Sequence, residues 1–171
     1  RNSYTHDAIL MEIRDIMRAS PIVSDFILEP DIKSLFAKRH GFQKKREERY
    51  KVPDGLFQLK TKSKTRIVAL ELELSPKSKV RYSKMFRQLV LSPDFSLILF
   101  VAKDDQLLKV LEHALSQARA KDPIVRAWRQ ARGFYFALLQ DILKDRTAAL
   151  FQGEELAFSL DSLAAALAGK S

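Results

Sequence analysis

Three carboxylates stand where the surrounding sequence is apolar: Asp54 in VPDGLF, and Glu71 and Glu73 in VALELEL. An acid in such a setting needs a partner, because an unpaired carboxylate is costly to remove from water. Residues 52–60 and 65–74 read as two strands, alternating or running apolar with β-formers, and the polar Thr61-Lys62-Ser63-Lys64 between them reads as a turn. With the turn centred between Lys62 and Ser63, Lys60 faces Thr65 and Asp54 faces Glu71. Residues directly opposed in this way have Cβ atoms about 4.5–5.5 Å apart, and Glu73 follows on the same face about 7 Å further along. A one-residue slip would carry Asp54 to the other face. In the simplest register three carboxylates converge on one patch. A divalent cation would offset their repulsion, and hard oxygen donors without cysteine select Mg²⁺ or Mn²⁺ over zinc. The plainer alternative leaves Glu71 and Glu73 on a solvated strand face, paired with Lys or Arg, opposite a buried face of Val68, Leu70, Leu72 and Leu74.

The segment that follows tilts the balance toward chemistry. Lys77, Lys79, Arg81, Lys84 and Arg87 come with no acid among them, and Lys77, Arg81 and Lys84 fall at i, i+4 and i+7. A solvated helix face normally mixes both signs, so an unmixed stripe beside three carboxylates resembles a phosphate track beside a metal; a face kept charged for solubility is the competing reading. Across the chain 30 Lys and Arg stand against 21 Asp and Glu, a formal net charge of +9. Residues 33–87 hold 17 of those basic residues and 5 of the acids, net +12, and the remainder is net −3. A polyanionic partner is favoured.

Positioning these groups requires a framework of helices around a sheet. The 171 residues suffice for one domain with its own core, and 46% hydrophobic with 30% charged residues is a globular composition. Cysteine is absent, which excludes disulfides, thiolate zinc sites and a cysteine nucleophile and is compatible with a reducing, cytoplasmic setting. The longest apolar run, 95–102, is too short to span a bilayer. Helical periodicity is expected over 5–18, a strand over 22–28 and a helix over 31–39, followed by a charge-dense surface loop, HGFQKKREERYK. After the hairpin, Ser75 is expected to cap a helix with Pro76 at its first position, its buried face formed by Tyr82, Met85, Phe86, Leu89 and Val90. The apolar run at 95–102 reads as a strand buried on both faces. A helix over 106–120 capped by Asp104 or Asp105, a strand over 133–139 and a terminal helix over 160–167 complete the pattern. The fold class is α/β, a central mixed sheet flanked by helices on both faces. A chain beginning at Arg1 is expected to be the C-terminal piece of a longer protein, with a DNA-reading segment, such as a helix-turn-helix, ahead of this single domain.

Pro53-Asp54-Gly55, then Glu71-Leu72-Glu73 on the next strand, then a basic helix, resembles the restriction-endonuclease-like PD-(D/E)XK nuclease superfamily, whose core order is α-β-β-β-α-β. More narrowly, LELELSPKSKVRY together with a first helix bearing His6 is similar to the replication-relaxation and plasmid-mobilisation group, including MobC-type relaxases. The resemblance implies a nuclease domain in which Asp54 and Glu71 match the motif's acids. Glu73 stands where the motif has lysine, so that role has moved to Lys77 or Lys79, or Glu73 is a third metal ligand, or catalysis has been lost; relatives do move the lysine. The implied activity is Mg²⁺- or Mn²⁺-dependent nicking of DNA, at an origin of transfer or similar plasmid site and alongside other relaxosome proteins. Asp54, Glu71 and Glu73 would hold metal, Lys77 or Lys79 would neutralise transition-state charge, and Lys77, Lys79, Arg81, Lys84 and Arg87 would bind DNA. Tyr82 is the nearest tyrosine for a covalent step, though its apolar neighbours suit packing. His6, with Glu12 beyond it, is either a surface residue or a contribution from the first helix. Trp128 is either a base-stacking residue or a core anchor. Two other functions compete: a nuclease-fold domain that binds DNA without cutting it, and an interaction domain for an acidic protein.

Overall fold

The computed structural model describes residues 2–40, 50–62, 64–128, 133–153 and 157–168. Among them the sequence periodicities resolve into helices and one sheet. Helix α1 (Asn2–Arg18) leads through Pro21 into β1 (Val23–Leu28), followed by α2 (Glu29–His40). Strands β2 (Gly55–Lys60) and β3 (Thr65–Glu73) form the expected hairpin, and α3 (Lys79–Val90) crosses back to β4 (Leu97–Ala102). Then come α4 (Asp105–Lys121), the short α5 (Pro123–Ala127), β5 (Gly133–Leu138) and α6 (Leu139–Asp145). A single 3₁₀ turn, the short strands β6 (Phe151–Gly153) and β7 (Ala157–Phe158), and α7 (Leu160–Leu167) end the described chain.

The strands lie in one mixed sheet in the order β1 to β7; the neighbouring pairs β3–β4 and β4–β5 are parallel and the other neighbouring pairs antiparallel. Lys60 pairs with Thr65 and Gly55 with Leu70, which is the register derived from a turn centred between Lys62 and Ser63. Asp54 therefore follows directly onto the position opposite Glu71. At the outer edge, the β1–β2 ladder shifts between Ser24 and Ile27, where Asp25 adopts φ 51°, a conformation its short polar side chain tolerates.

Helices cover both faces. One face buries Phe86, Leu89, Ile98, Phe100, Leu111 and Phe134 among α2, α3, α4 and α5. The other buries Ile13, Met17, Leu70, Leu99, Val101 and Ile142 under α1, α6 and α7. Every residue of β4 is buried, as its unbroken apolar run requires. The same holds for β3 from Val68 to Glu73, so the solvated-face alternative for Glu71 and Glu73 is incorrect. A helix layer lies over both sides of this strand, and there is no water-facing side to alternate toward.

Two local expectations change. Ser75 and Pro76 do not start α3: Ser78 caps it, accepting from the Arg81 N–H, and the helix begins at Lys79. Residues 74–78 instead carry the chain over the end of the sheet, turning Lys77 back onto Glu73. Lys77 is consequently not part of a helical stripe with Arg81 and Lys84. The charge-dense loop falls at 41–49, outside the described residues, though Tyr50 and Lys51 at its end are described.

Candidate active site

The carboxyl ends of β3 and β4 lie side by side, Glu73 opposite Ala102, and a crevice beyond such parallel strand ends is where open α/β sheets bind ligands. Here the three carboxylates come together. Glu71 and Glu73 alternate with Leu72 and share the face of Ala69, and both side chains are almost wholly buried (2% and 1% exposed). Asp54 immediately precedes β2, where Leu72 has no partner on the β2 side; its Oδ2 accepts the Leu72 N–H at 2.8 Å.

Each carboxylate is met by a base. The Lys51 ammonium donates to both oxygens of Glu71 at 2.5 Å, and the Lys77 ammonium to both oxygens of Glu73. His6 reaches over from α1, its Nε2 3.3 Å from the Leu72 carbonyl oxygen and 3.5 Å from Asp54 Oδ2. Both neighbours of Nε2 are acceptors, so that nitrogen carries the proton. Three acids are thus set against three bases at one end of the sheet.

The electrostatics follow from this closure. The hydrogen bond to Asp54 raises the His6 imidazole to about 9 against the lowering effect of its own burial, so the ring is charged at neutral pH. Burial pushes Asp54 upward, but His6, Lys51 and the Leu72 N–H outweigh it and hold the carboxyl below its ordinary value. Burial dominates at Glu71, raising it to about 8 despite Lys51, and also raises Glu73 despite Lys77. Lys51 loses stability as a cation through burial, yet Glu71, Asp54 and Glu73 more than restore it. The direction for the Lys51–Glu71 pair is that Glu71 keeps a proton to a far higher pH than an exposed carboxyl. Such displaced proton affinities gathered in one crevice mark functional sites more often than plain ion pairs do.

A cleft of about 610 Å³ opens on the cluster, lined by His6, Glu73, Ser75, Lys77 and Lys103 among others. Lys103, directly after β4, donates its N–H to the Glu73 carbonyl and places a further exposed cation at the rim.

Of the residues expected from sequence, Asp54, Glu71, Glu73, Lys77 and His6 are brought together. Lys79, Arg81 and Lys84 are exposed along α3, and Arg87 is bound to Asp122 at 2.6 Å at the helix's far end. Tyr82 is buried, its ring stacked on Phe86 and its hydroxyl accepting the Lys77 N–H at 3.2 Å, which is a packing and positioning role. Glu12 is exposed on α1 and Trp128 is buried in the core. Sequence reasoning missed Lys51. It lies three residues before Asp54, and the need of Glu71 for a nearby cation was the only signal pointing to it. Lys103 was missed as well.

The donor chemistry of Asp54, Glu71 and Glu73 suits a hard divalent cation, and such an ion would have to take the place of the ammonium groups. Among the described residues, no group of three or more His, Asp or Glu side chains is already arranged around a metal position. Compared with protein-family models, curated proteins and solved structures, the chain matches none. Among the described residues no helix is long and apolar enough to cross a membrane.

Proposed function

We propose that this chain is a metal-dependent endonuclease that nicks DNA, restriction-endonuclease-like in its core and of the replication-relaxation or plasmid-mobilisation kind, acting in the cytoplasm on origin-of-transfer or similar DNA beside other relaxosome proteins. One observation carries the reading: Asp54, Glu71 and Glu73 converge, together with Lys51 and Lys77, at the carboxyl end of a parallel strand. Phosphodiester hydrolysis needs that combination of hard oxygen ligands and cations.

Asp54, Glu71 and Glu73 would hold Mg²⁺ or Mn²⁺, which when bound acidifies a water molecule and stabilises charge on the phosphoryl oxygens. The remaining work belongs to the chain's own residues. Lys51 and Lys77, whose side chains are partly exposed, turn from the carboxylates toward a phosphate and meet the charge that develops on it. Lys77 takes the part that the superfamily motif gives to lysine, while Lys79 faces away from the cluster. His6 and the Leu72 N–H fix Asp54 in place and keep it ionised. Tyr82 is buried and its hydroxyl accepts the Lys77 N–H, so it positions Lys77 rather than attacking the phosphate.

A second reading is favoured by the closed balance of acids and bases: a domain that binds DNA without cutting it. Supercoiled plasmid with Mg²⁺ or Mn²⁺ separates the two. Under the first reading wild type yields nicked circles, while Asp54→Asn and Glu71→Gln proteins bind but do not nick. Retention of the plasmid without nicking in either metal would leave the binding reading standing and remove the enzyme.

A further inference from the structure

A second cleft lies on the other side of Lys77. It has a volume of about 400 Å³ and runs between the start of α3 and the exposed side of α4. Lys79 borders it from α3, and Gln106, Lys109 and His113 from α4, above Val110 and Ala114. On α4 these positions recur at i, i+3, i+4, i+7 and i+8, which is one helical face. The acids of that helix fall elsewhere: neither Asp105 nor Glu112 borders this cleft, and Glu112 lines a separate one with Arg119 and Gln152. Among the described residues Lys79 and Lys109 form no ion pair, in contrast to Lys51 and Lys77. Two uncompensated ammonium groups therefore border a partly apolar slot, and Val110 is 38% exposed in it.

Lys77 lines both this cleft and the one over the carboxylates, so the two are continuous around a single side chain. We propose that the groove between α3 and α4 holds single-stranded nucleic acid, with Lys79 and Lys109 on consecutive backbone phosphates and a sugar or base edge against Val110. The inference rests on reading the neighbouring carboxylates as a phosphodiester site, and it names the form in which the substrate lies there. Cations beside an apolar surface match the alternation of phosphate and nucleoside along one strand. Its volume of about 400 Å³ is that of a small-ligand pocket and has room for a nucleotide of one strand. A strand so held would pass Lys77 and present its next phosphate to Lys51, Glu71 and Glu73.

Fluorescence anisotropy of a labelled oligothymidylate, in EDTA and over a range of salt, tests this without requiring cleavage. Each phosphate contact on a single strand contributes about 0.7 to the slope of log K against log salt. Lys79→Gln and Lys109→Gln proteins should each lose about 0.7 of that slope, and the double variant about 1.4. Both side chains are exposed, so melting temperatures should match wild type. Lys144→Gln, on α6 at the opposite face, should leave the slope unchanged, and Val110→Glu should weaken binding at least tenfold. If wild type binds the oligonucleotide and the double variant retains its slope and affinity, the groove is not the strand's path and the phosphodiester site survives. Loss of duplex binding with oligothymidylate binding intact would overturn the single-strand assignment. If wild type binds neither form at low salt, the phosphodiester reading falls and takes this inference with it.

Discussion

Glu71→Gln should gain stability relative to wild type as pH rises. The Glu71 side chain is 2% exposed, and its burial lifts the carboxyl from 4.5 to about 8. A group whose folded value lies above its unfolded value contributes stability that is complete below the unfolded value and lost as pH climbs through the folded one. For Glu71 that loss runs from pH 4.5 to about 8, and at about 1.4 kcal/mol per pH unit it totals about 5 kcal/mol. Glutamine keeps an acceptor for Lys51 but does not titrate. The difference in unfolding free energy between Glu71→Gln and wild type should therefore be nearly constant below pH 4.5 and grow by several kcal/mol toward pH 8. For a chain of this size each kcal/mol moves the melting temperature by about 2–4 °C. Urea unfolding of both proteins in EDTA, at half-unit steps from pH 4 to 8.5, measures it; groups remote from Glu71 cancel in the difference, whereas Lys51, which Glu71 holds charged, contributes to it. A difference that stays flat to within about 1 kcal/mol would mean that Lys51 fully offsets the burial, with Glu71 ionised in the fold at its ordinary value. The strained carboxyl would then be an ordinary ion pair.

His6 tests the same cluster from the other side. Its imidazole should titrate near 9 by NMR and move back toward 6.5 in Asp54→Asn, and the stability it contributes should be complete below pH 6.5 and disappear as pH rises through 9. An unshifted His6 would break the link between α1 and the start of β2. At the start of α4, Asp104 accepts the Leu107 N–H at 2.9 Å. Asp104→Ala should cost about 1 kcal/mol in chemical denaturation, with oligonucleotide binding in the adjacent groove unaltered.

The parts of the fold that were legible are those governed by a local rule. The hairpin register followed from the polar turn at 61–64, and through it the approach of Asp54 to Glu71. The burial of β4 followed from its unbroken apolar run, and α7 occupies the residues 160–167 expected of a terminal helix. Where two rules competed, sequence gave no decision. Ser75-Pro76 and Ser78 are both acceptable helix starts, and the choice went to Ser78 because Lys77 is drawn back to the buried Glu73. The alternation in β3 suggested a wet face because sequence records the period of a strand but not whether helices cover both its sides. Residues 139–153, where a helix, a 3₁₀ turn and a short strand follow in quick succession, carry too few residues per element for any period to emerge.

The site divides along the same line. Its acids were legible because carboxylates are conspicuous in apolar sequence; of its bases Lys77 and His6 were singled out but Lys51 was not, because lysines are abundant across 33–87 and only the fold selects among them. The selection follows charge compensation: Lys51, Lys77 and His6 are the bases that reach a desolvated carboxylate, whereas Lys79, Arg81, Lys84 and Lys109 remain in water. Cations of two kinds therefore stand out in that segment: Lys51 and Lys77 neutralise the acids at the end of the sheet, and Lys79, Arg81 and Lys84 lie exposed along α3. Under the proposed function a polyanion drawn to the second group would reach the first by way of Lys77, the side chain that borders both clefts.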